Sequence, residues 1–144
     1  MIRSIQRGWR FYFSELESGC DTRCGLSITP GGGVEMVRGD ESIRQSLLML
    51  LSITPGERVM HPDYGCNLHK LVYSVNDETT AGLAIHYVRK AIEKWEPRIH
   101  IIRLDARAGK IKPEQLDMII EYRTINTKQS TSFVYSIDLT GKEL

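Results

Sequence analysis

No stretch of this chain is long and apolar enough to cross a bilayer. Its longest strongly apolar run, Leu47-Leu48-Met49-Leu50-Leu51, falls far short of the roughly 20 residues a spanning helix needs. An excess of one charge is also lacking. Nineteen Lys+Arg stand against 18 Asp+Glu, a formal charge of +1, so composition makes no case for a nucleic-acid partner. Cysteine is scarce and odd in number. Cys20, Cys24 and Cys66 argue against a closed disulfide framework. The histidines (His61, His69, His86, His100) are scattered and do not join the cysteines in four-ligand clusters, so no metal and no cofactor is expected. No secretory leader is expected either, because Arg3, Arg7 and Arg10 interrupt Ile2, Ile5 and Trp9. The expectation is a protein made and kept in the cytoplasm, without membrane insertion. There is no repeat, no low-complexity tract and no serine-nucleophile motif. Gly31-Gly32-Gly33 lacks the lysine and following helix of a phosphate loop, and a turn between strands explains it better.

What is present is a globular composition, 41% hydrophobic and 26% charged over 144 residues, enough for one domain. The first 40 residues differ in texture from the rest. Trp9, Phe11, Tyr12 and Phe13 crowd a basic start. Leu26 to Thr29 and Val34 to Val37 then alternate apolar with polar around Pro30-Gly31-Gly32-Gly33, which predicts a short hairpin or an extended arm. The compact part begins at Asp40-Glu41-Ser42, residues suited to a helix start, and Ile43, Leu47, Leu50 and Leu51 follow helical spacing until Thr54-Pro55-Gly56. Leu68 to Val72 suggests a short helical turn. A second helix, capped by Asn76 or Asp77, carries Ala81, Ile85, Val88, Ile92 and Trp95 on its apolar stripe, thickened by Ala84 and Ala91, and ends at Pro97. Three strands follow, over Ile99 to Arg107, Leu116 to Arg123 and Phe133 to Leu139, joined by connections short enough for an antiparallel meander. The fold class expected is α+β: two main helices packed on a three-stranded antiparallel sheet, with an N-terminal extended arm or short hairpin. Residues 1–39 are expected to form that arm and residues 40–144 the compact domain.

Chemistry is harder to find. Glu57, Asp63, Glu78 and Glu96 are candidate carboxylates, but a glycosidase needs two facing across a cleft at a defined separation, which no spacing here specifies. No catalytic residue is assigned. One local feature breaks the usual rules. In Trp95-Glu96-Pro97-Arg98 an acidic residue sits at a helix C-terminus, where it meets the negative end of the helix dipole. Pro97 fixes the chain direction there, so Glu96 and Arg98 mark a rigid corner. Two readings of it stay open: an intramolecular pair, with Arg58 a candidate partner for Glu96, or a polar docking point for another subunit.

Several motifs in one order resemble a known family. Glu41-Ser42-Ile43-Arg44-Gln45-Ser46-Leu47, Pro55-Gly56-Glu57-Arg58-Val59-Met60, Pro62-Asp63-Tyr64-Gly65-Cys66-Asn67-Leu68, Asn76-Asp77-Glu78-Thr79-Thr80 and Trp95-Glu96-Pro97-Arg98-Ile99 are similar to the baseplate wedge, or sheath-initiator, family of contractile tails. That family spans phages, type VI secretion and extracellular contractile injection systems. Gly8-Trp9-Arg10-Phe11, and Asn126 with Val134-Tyr135, resemble its injection-particle and phage-like branches. The chain departs from the pattern at Tyr12-Phe13, where relatives often have proline, and in the stretch from Cys20 to Cys24. The resemblance implies a structural wedge component, present in the bacterial cytoplasm during assembly and then in the tail-like particle or phage virion. Its implied partners are the large baseplate wedge subunits, through Glu96, Pro97 and Arg98, and the sheath protein, by strand addition that templates the first sheath ring. The tube or spike hub is a further contact. Some members carry a lysozyme label, and a lysozyme-like peptidoglycan-cleaving enzyme is therefore the alternative.

Two expectations complete the set of partner-binding residues. Trp9 and Phe11, with their aromatic neighbours, are too apolar for a solvated tail and should be covered by a wedge or tube partner. Ser132 to Ile137 contains neither proline nor lysine, so Val134, Tyr135 and Ser136 should offer an edge for strand addition, unless this strand is central or already covered.

Overall fold

A computed structural model describes residues 7–12 and 25–141, so the expectations for Phe13, Cys20 and Cys24 lie outside the described residues. The chain divides into two compact units, Met1–Ser46 and Leu47–Leu144.

In the first unit the arm and the hairpin form one arrangement. Strand β1 (Arg7–Trp9) pairs antiparallel with β4 (Met36–Arg38), and β2 (Phe11–Tyr12) with β3 (Gly25–Leu26). The expected turn is there: Gly32 N–H donates to the Thr29 carbonyl at 2.9 Å and Thr29 N–H to the Gly33 carbonyl at 2.7 Å. Beyond it, hairpin residues meet each other at the Ile28–Val34 bridge and through Glu35 N–H to the Ser27 carbonyl. The arm supplies the other strand partners, so arm and hairpin are both present and depend on each other. Alternation then sorts the side chains. Gly8, Arg10 and Tyr12 take the more covered positions, and Arg7, Trp9 and Phe11 the exposed ones. Helix α1 (Asp40–Ser52) starts in this unit. Its Gln45 ties the arm from both sides, accepting from Phe11 N–H at 2.9 Å and donating to the Trp9 carbonyl at 2.7 Å. Arg10 is held by Glu35 at 3.0 Å and Glu41 at 2.7 Å.

In the second unit, β5 (Ile99–Ala108), β6 (Gln115–Thr124) and β7 (Ser130–Asp138) form an antiparallel meander in the order β5-β6-β7. On β6, Leu116, Met118, Ile120 and Tyr122 are fully buried at alternate positions, as a half-covered central strand requires. Helix α2 (Glu78–Trp95) lies against β5. Asp77 caps it, its carboxylate accepting from Thr80 N–H at 2.8 Å. The buried stripe of α2 falls within the expected one. Ala84, Val88, Ala91 and Ile92 are its buried apolar residues, while Ile85 and Trp95 are half-covered. Leu47, Leu50 and Leu51 of α1 and Leu68 and Leu71 of a 3-10 turn (Asn67–Leu71) complete the buried set.

The loop between α1 and that turn is fixed by its own backbone. Gly56 N–H donates to the Pro62 carbonyl at 2.7 Å, and Cys66 N–H to the Ile53 carbonyl at 3.0 Å. Gly65 makes this approach possible. Its φ is +131°, and a Cβ there would lie 2.4 Å from the Ile53 carbonyl oxygen.

Candidate functional site

The corner after α2 resolves the anomaly seen in the sequence. Glu96 N–H closes the last helical turn on the Ile92 carbonyl at 2.8 Å, which leaves an acidic side chain beside the helix's negative end. Two residues later Arg98 turns back onto it. The guanidinium meets the carboxylate as a fork, Nη2 to Oε2 at 2.5 Å and Nε to Oε1. Glu96 is only 6% exposed. Its hydrogen bonds hold the Arg98 guanidinium above its ordinary pKa, against the opposing effect of burial. The intramolecular reading is therefore the one the structure displays, with Arg98 as the partner. Pro97, between them, is exposed.

Arg58 is used nearby, over the Tyr64 ring at 4.2 Å from its centroid. Tyr64 meets Trp95 edge-on at 5.2 Å, and the Lys94 ammonium lies over Trp95 at 4.9 Å. Burial, opposed by Arg58, pushes the Tyr64 phenol above its ordinary pKa, with Glu96 adding to the rise. The corner is thus an aromatic shelf capped by cations, next to a neutralised ion pair. Sequence reasoning placed Trp95 on the helix stripe and did not assign Tyr64 or Lys94 a role. The available signal was the order of motifs, which brings the Pro55 loop to the end of α2. Beside the shelf, a cavity of about 220 Å³ is lined by Asp63, Cys66, Tyr87, Lys90, Lys94 and Trp95, among others. Burial pushes the Cys66 thiol up to about 11, so it stays protonated and inert at neutral pH.

The sheet provides a second candidate surface. Strand β7 is an outer strand, bearing Val134, Tyr135 and Ser136 opposite Ile119, Met118 and Asp117. Its hydrogen-bond parity follows from the two ends of the pair. Thr124 N–H donates to the Gln129 carbonyl, and Leu139 N–H to the Glu114 carbonyl. In an antiparallel ladder bonded pairs alternate with unbonded ones. Residues 131, 133, 135 and 137 therefore bond to β6, and the N–H groups of Ser132, Val134 and Ser136 point away from it. Val134 is 55% exposed, Tyr135 is half-covered, and Ser136 Oγ donates to Asp117 at 2.6 Å.

The opposite edge is different. β5 carries a bulge at Ile102, which is why its apolar residues Ile101, Ile102 and Leu104 do not alternate in sequence. It also carries the charged series Arg103, Asp105 and Arg107, with Asp105 2.7 Å from Arg107 and 3.5 Å from Arg103. Bulges and charges are the usual devices that discourage strand addition. β7 lacks both over Ser132–Ile137.

The arm residues Trp9 and Phe11 are 62% and 38% exposed, on the side away from Gly8 and Arg10. Of the candidate carboxylates, Glu57 accepts from Thr54 N–H at 3.0 Å and Glu96 is taken by Arg98. Glu78 opens α2 and Asp63 lines the cavity. Among the described residues no group of three His, Cys, Asp or Glu is placed to hold a metal ion.

Comparison with known proteins relates the chain to a family. The family model described as baseplate wedge protein gp25 matches residues 37–129. A crystal structure from Geobacter sulfurreducens, described as a candidate tail lysozyme, is 36% identical over 72% of this chain and 94% of its own, with a TM-score of 0.66. A chain of the anti-feeding prophage baseplate shares the fold at 17% identity, covering 96% of this chain and 90% of its own, with a TM-score of 0.62. A chain of the type VI secretion baseplate complex does so at 15% identity over 69% and 93%, with a TM-score of 0.56. No curated protein matches the sequence.

Proposed function

The chain belongs to the baseplate wedge protein family, and from that premise we propose that it joins the wedge to the first sheath ring of a contractile tail or injection particle. The observation that carries the sheath half of the proposal is the contrast between the two sheet edges. β5 is bulged and charged, whereas β7 presents outward N–H groups beside Ser132, Val134 and Ser136. An extended arm of a sheath subunit adding there would gain backbone hydrogen bonds along the strand. The wedge half rests on the corner. Because Glu96 and Arg98 neutralise each other, the large wedge subunits would meet Pro97, the Arg98 guanidinium and the neighbouring Arg58–Tyr64–Trp95 shelf rather than two free charges. The arm bearing Trp9 and Phe11 would add a third contact, to the wedge or tube. Assembly in the bacterial cytoplasm belongs to the same proposal.

The test is a proline at the edge. Val134→Pro removes one outward donor and no ladder bond, and it is a cleaner change than Ser136→Pro, which also loses the hydroxyl bond to Asp117. The expected result is a folded protein that enters baseplates bearing tubes without sheath, seen by negative-stain microscopy. Normally sheathed particles would overturn the sheath assignment. The proposed role is mechanical, not enzymatic, although one relative is described as a candidate tail lysozyme. Glu57 is engaged by a backbone amide and Glu96 by a guanidinium, which suits structural carboxylates better than a catalytic pair. The purified chain is expected not to clear a peptidoglycan suspension.

A further inference from the structure

The outer side of the first unit combines apolar surface with charge of one sign. Strand alternation places three cross-strand apolar couples there: Trp9 with Met36, Phe11 with Leu26, and Ile28 with Val34. Every one of these six side chains is more than a third exposed, and Ile28 reaches 73%. In the same alternation Arg7 stands directly opposite Arg38, both exposed. Like charges facing each other across a strand pair oppose its formation. On the inner side, Arg10 is given two carboxylates, Glu35 and Glu41. Among the described residues, Arg7 and Arg38 are given none.

We infer that this outer face is a receptor for an acidic amphipathic segment of a neighbouring baseplate subunit, whose apolar side chains cover the three couples and whose carboxylates meet Arg7 and Arg38. The inference rests on the assignment of the arm to a baseplate contact and specifies the chemistry of the partner. Charge decides the choice of occupant. A second copy of this chain would bring two more arginines against the first two, whereas an acidic segment removes the repulsion already present and pairs guanidinium with carboxylate in a partly desolvated setting. The apolar couples then supply the contact area, with Trp9 the largest anchor.

The test uses the full chain in its own particle. A photo-crosslinking residue at Met36, activated in assembled baseplates, is expected to label one segment of another subunit that carries net negative charge and interleaved apolar residues. A synthetic peptide of that segment should bind the purified chain, and R7E/R38E should weaken binding about 100-fold. Exchanging the peptide's carboxylates for lysines should restore binding to the double variant. That variant keeps a like-charge couple, so its fold is challenged no more than that of the parent. A crosslink within the chain, to a second copy, or to a neutral or basic segment overturns the inference, as does the absence of any crosslink. Binding to phosphatidylglycerol-containing vesicles in place of the peptide overturns it as well and assigns the face to a lipid surface. If the unaltered chain never enters the particle, the proposed function fails first. If it enters and R7E/R38E changes nothing, only the present inference falls.

Discussion

Glu96 shows how a residue that looks misplaced in sequence can be settled by a neighbour two positions away. At the C-terminal end of α2 its charge opposes the helix dipole, and its burial would be costly alone, but the Arg98 fork answers both. Replacing Arg98 with alanine leaves that carboxylate buried without its counter-ion and should lower stability by about 3 kcal/mol. A double variant, E96Q/R98M, should recover much of the loss. Urea midpoints of the free protein check this, and an unchanged midpoint for Arg98→Ala would show the pair to be idle. Charge reversal at either Glu96 or Arg98 is therefore expected to destabilise the free domain. Gly65 makes a similar point through the backbone. At φ +131°, with the Ile53 carbonyl so close, Gly65→Ala should cost about 2–3 kcal/mol and loosen the loop that places Arg58 and Tyr64.

Among the elements, α2 is the one whose limits are chemically explicit. The Thr80 N–H, bonded to the Asp77 carboxylate, holds that carboxyl below its ordinary pKa. Because the folded value is depressed, the capping contribution is fully present above the unfolded value near pH 4 and disappears as pH falls through the folded value. Asp77→Asn keeps a capping oxygen without the charge. Its stability should therefore fall less steeply than the parent's below about pH 4 in thermal melts. Sheet elements behave differently. β6 is closed on both sides by its neighbours, so its alternation is visible and its backbone is used up. β7 has the same alternation, but among the described residues it is paired on one side alone, so a proline at an outward position such as Val134 is expected to spare the fold.

For the molecule as a whole, the arm is covalently part of the chain but structurally part of the first unit. Deleting residues 1–18 removes β1 and β2, and with them the strand partners of β3 and β4 and the groups that Gln45 holds. Hydrogen exchange on the truncated protein should show lost protection across residues 25–38. The amides of β5, β6 and β7 should stay protected, since their ladder and buried side chains belong to the other unit. Loss of protection throughout would mean that the units do not fold separately. Assembly should fail in either case, so the exchange pattern is the informative readout.

Local pattern determined much of this protein. The starts of α1 and α2, the stops at Pro55 and Pro97, the alternation of β6 and β7 and the antiparallel meander are all written in spacings of two or three to four residues, because each reports which face of one element meets water. The family could be read as well, from motifs kept in order along the chain. Tertiary structure decided what depends on separate segments meeting. It put β7 at an edge, paired the arm with the hairpin and stacked Arg58 on Tyr64. It also bent Arg98 back to Glu96, although the two are close in sequence, because the direction of the chain beyond Pro97 sets where that side chain can reach. Periodicity tells a segment which side to bury, whereas partner choice is fixed by the distances and charges that appear only once the whole chain has closed.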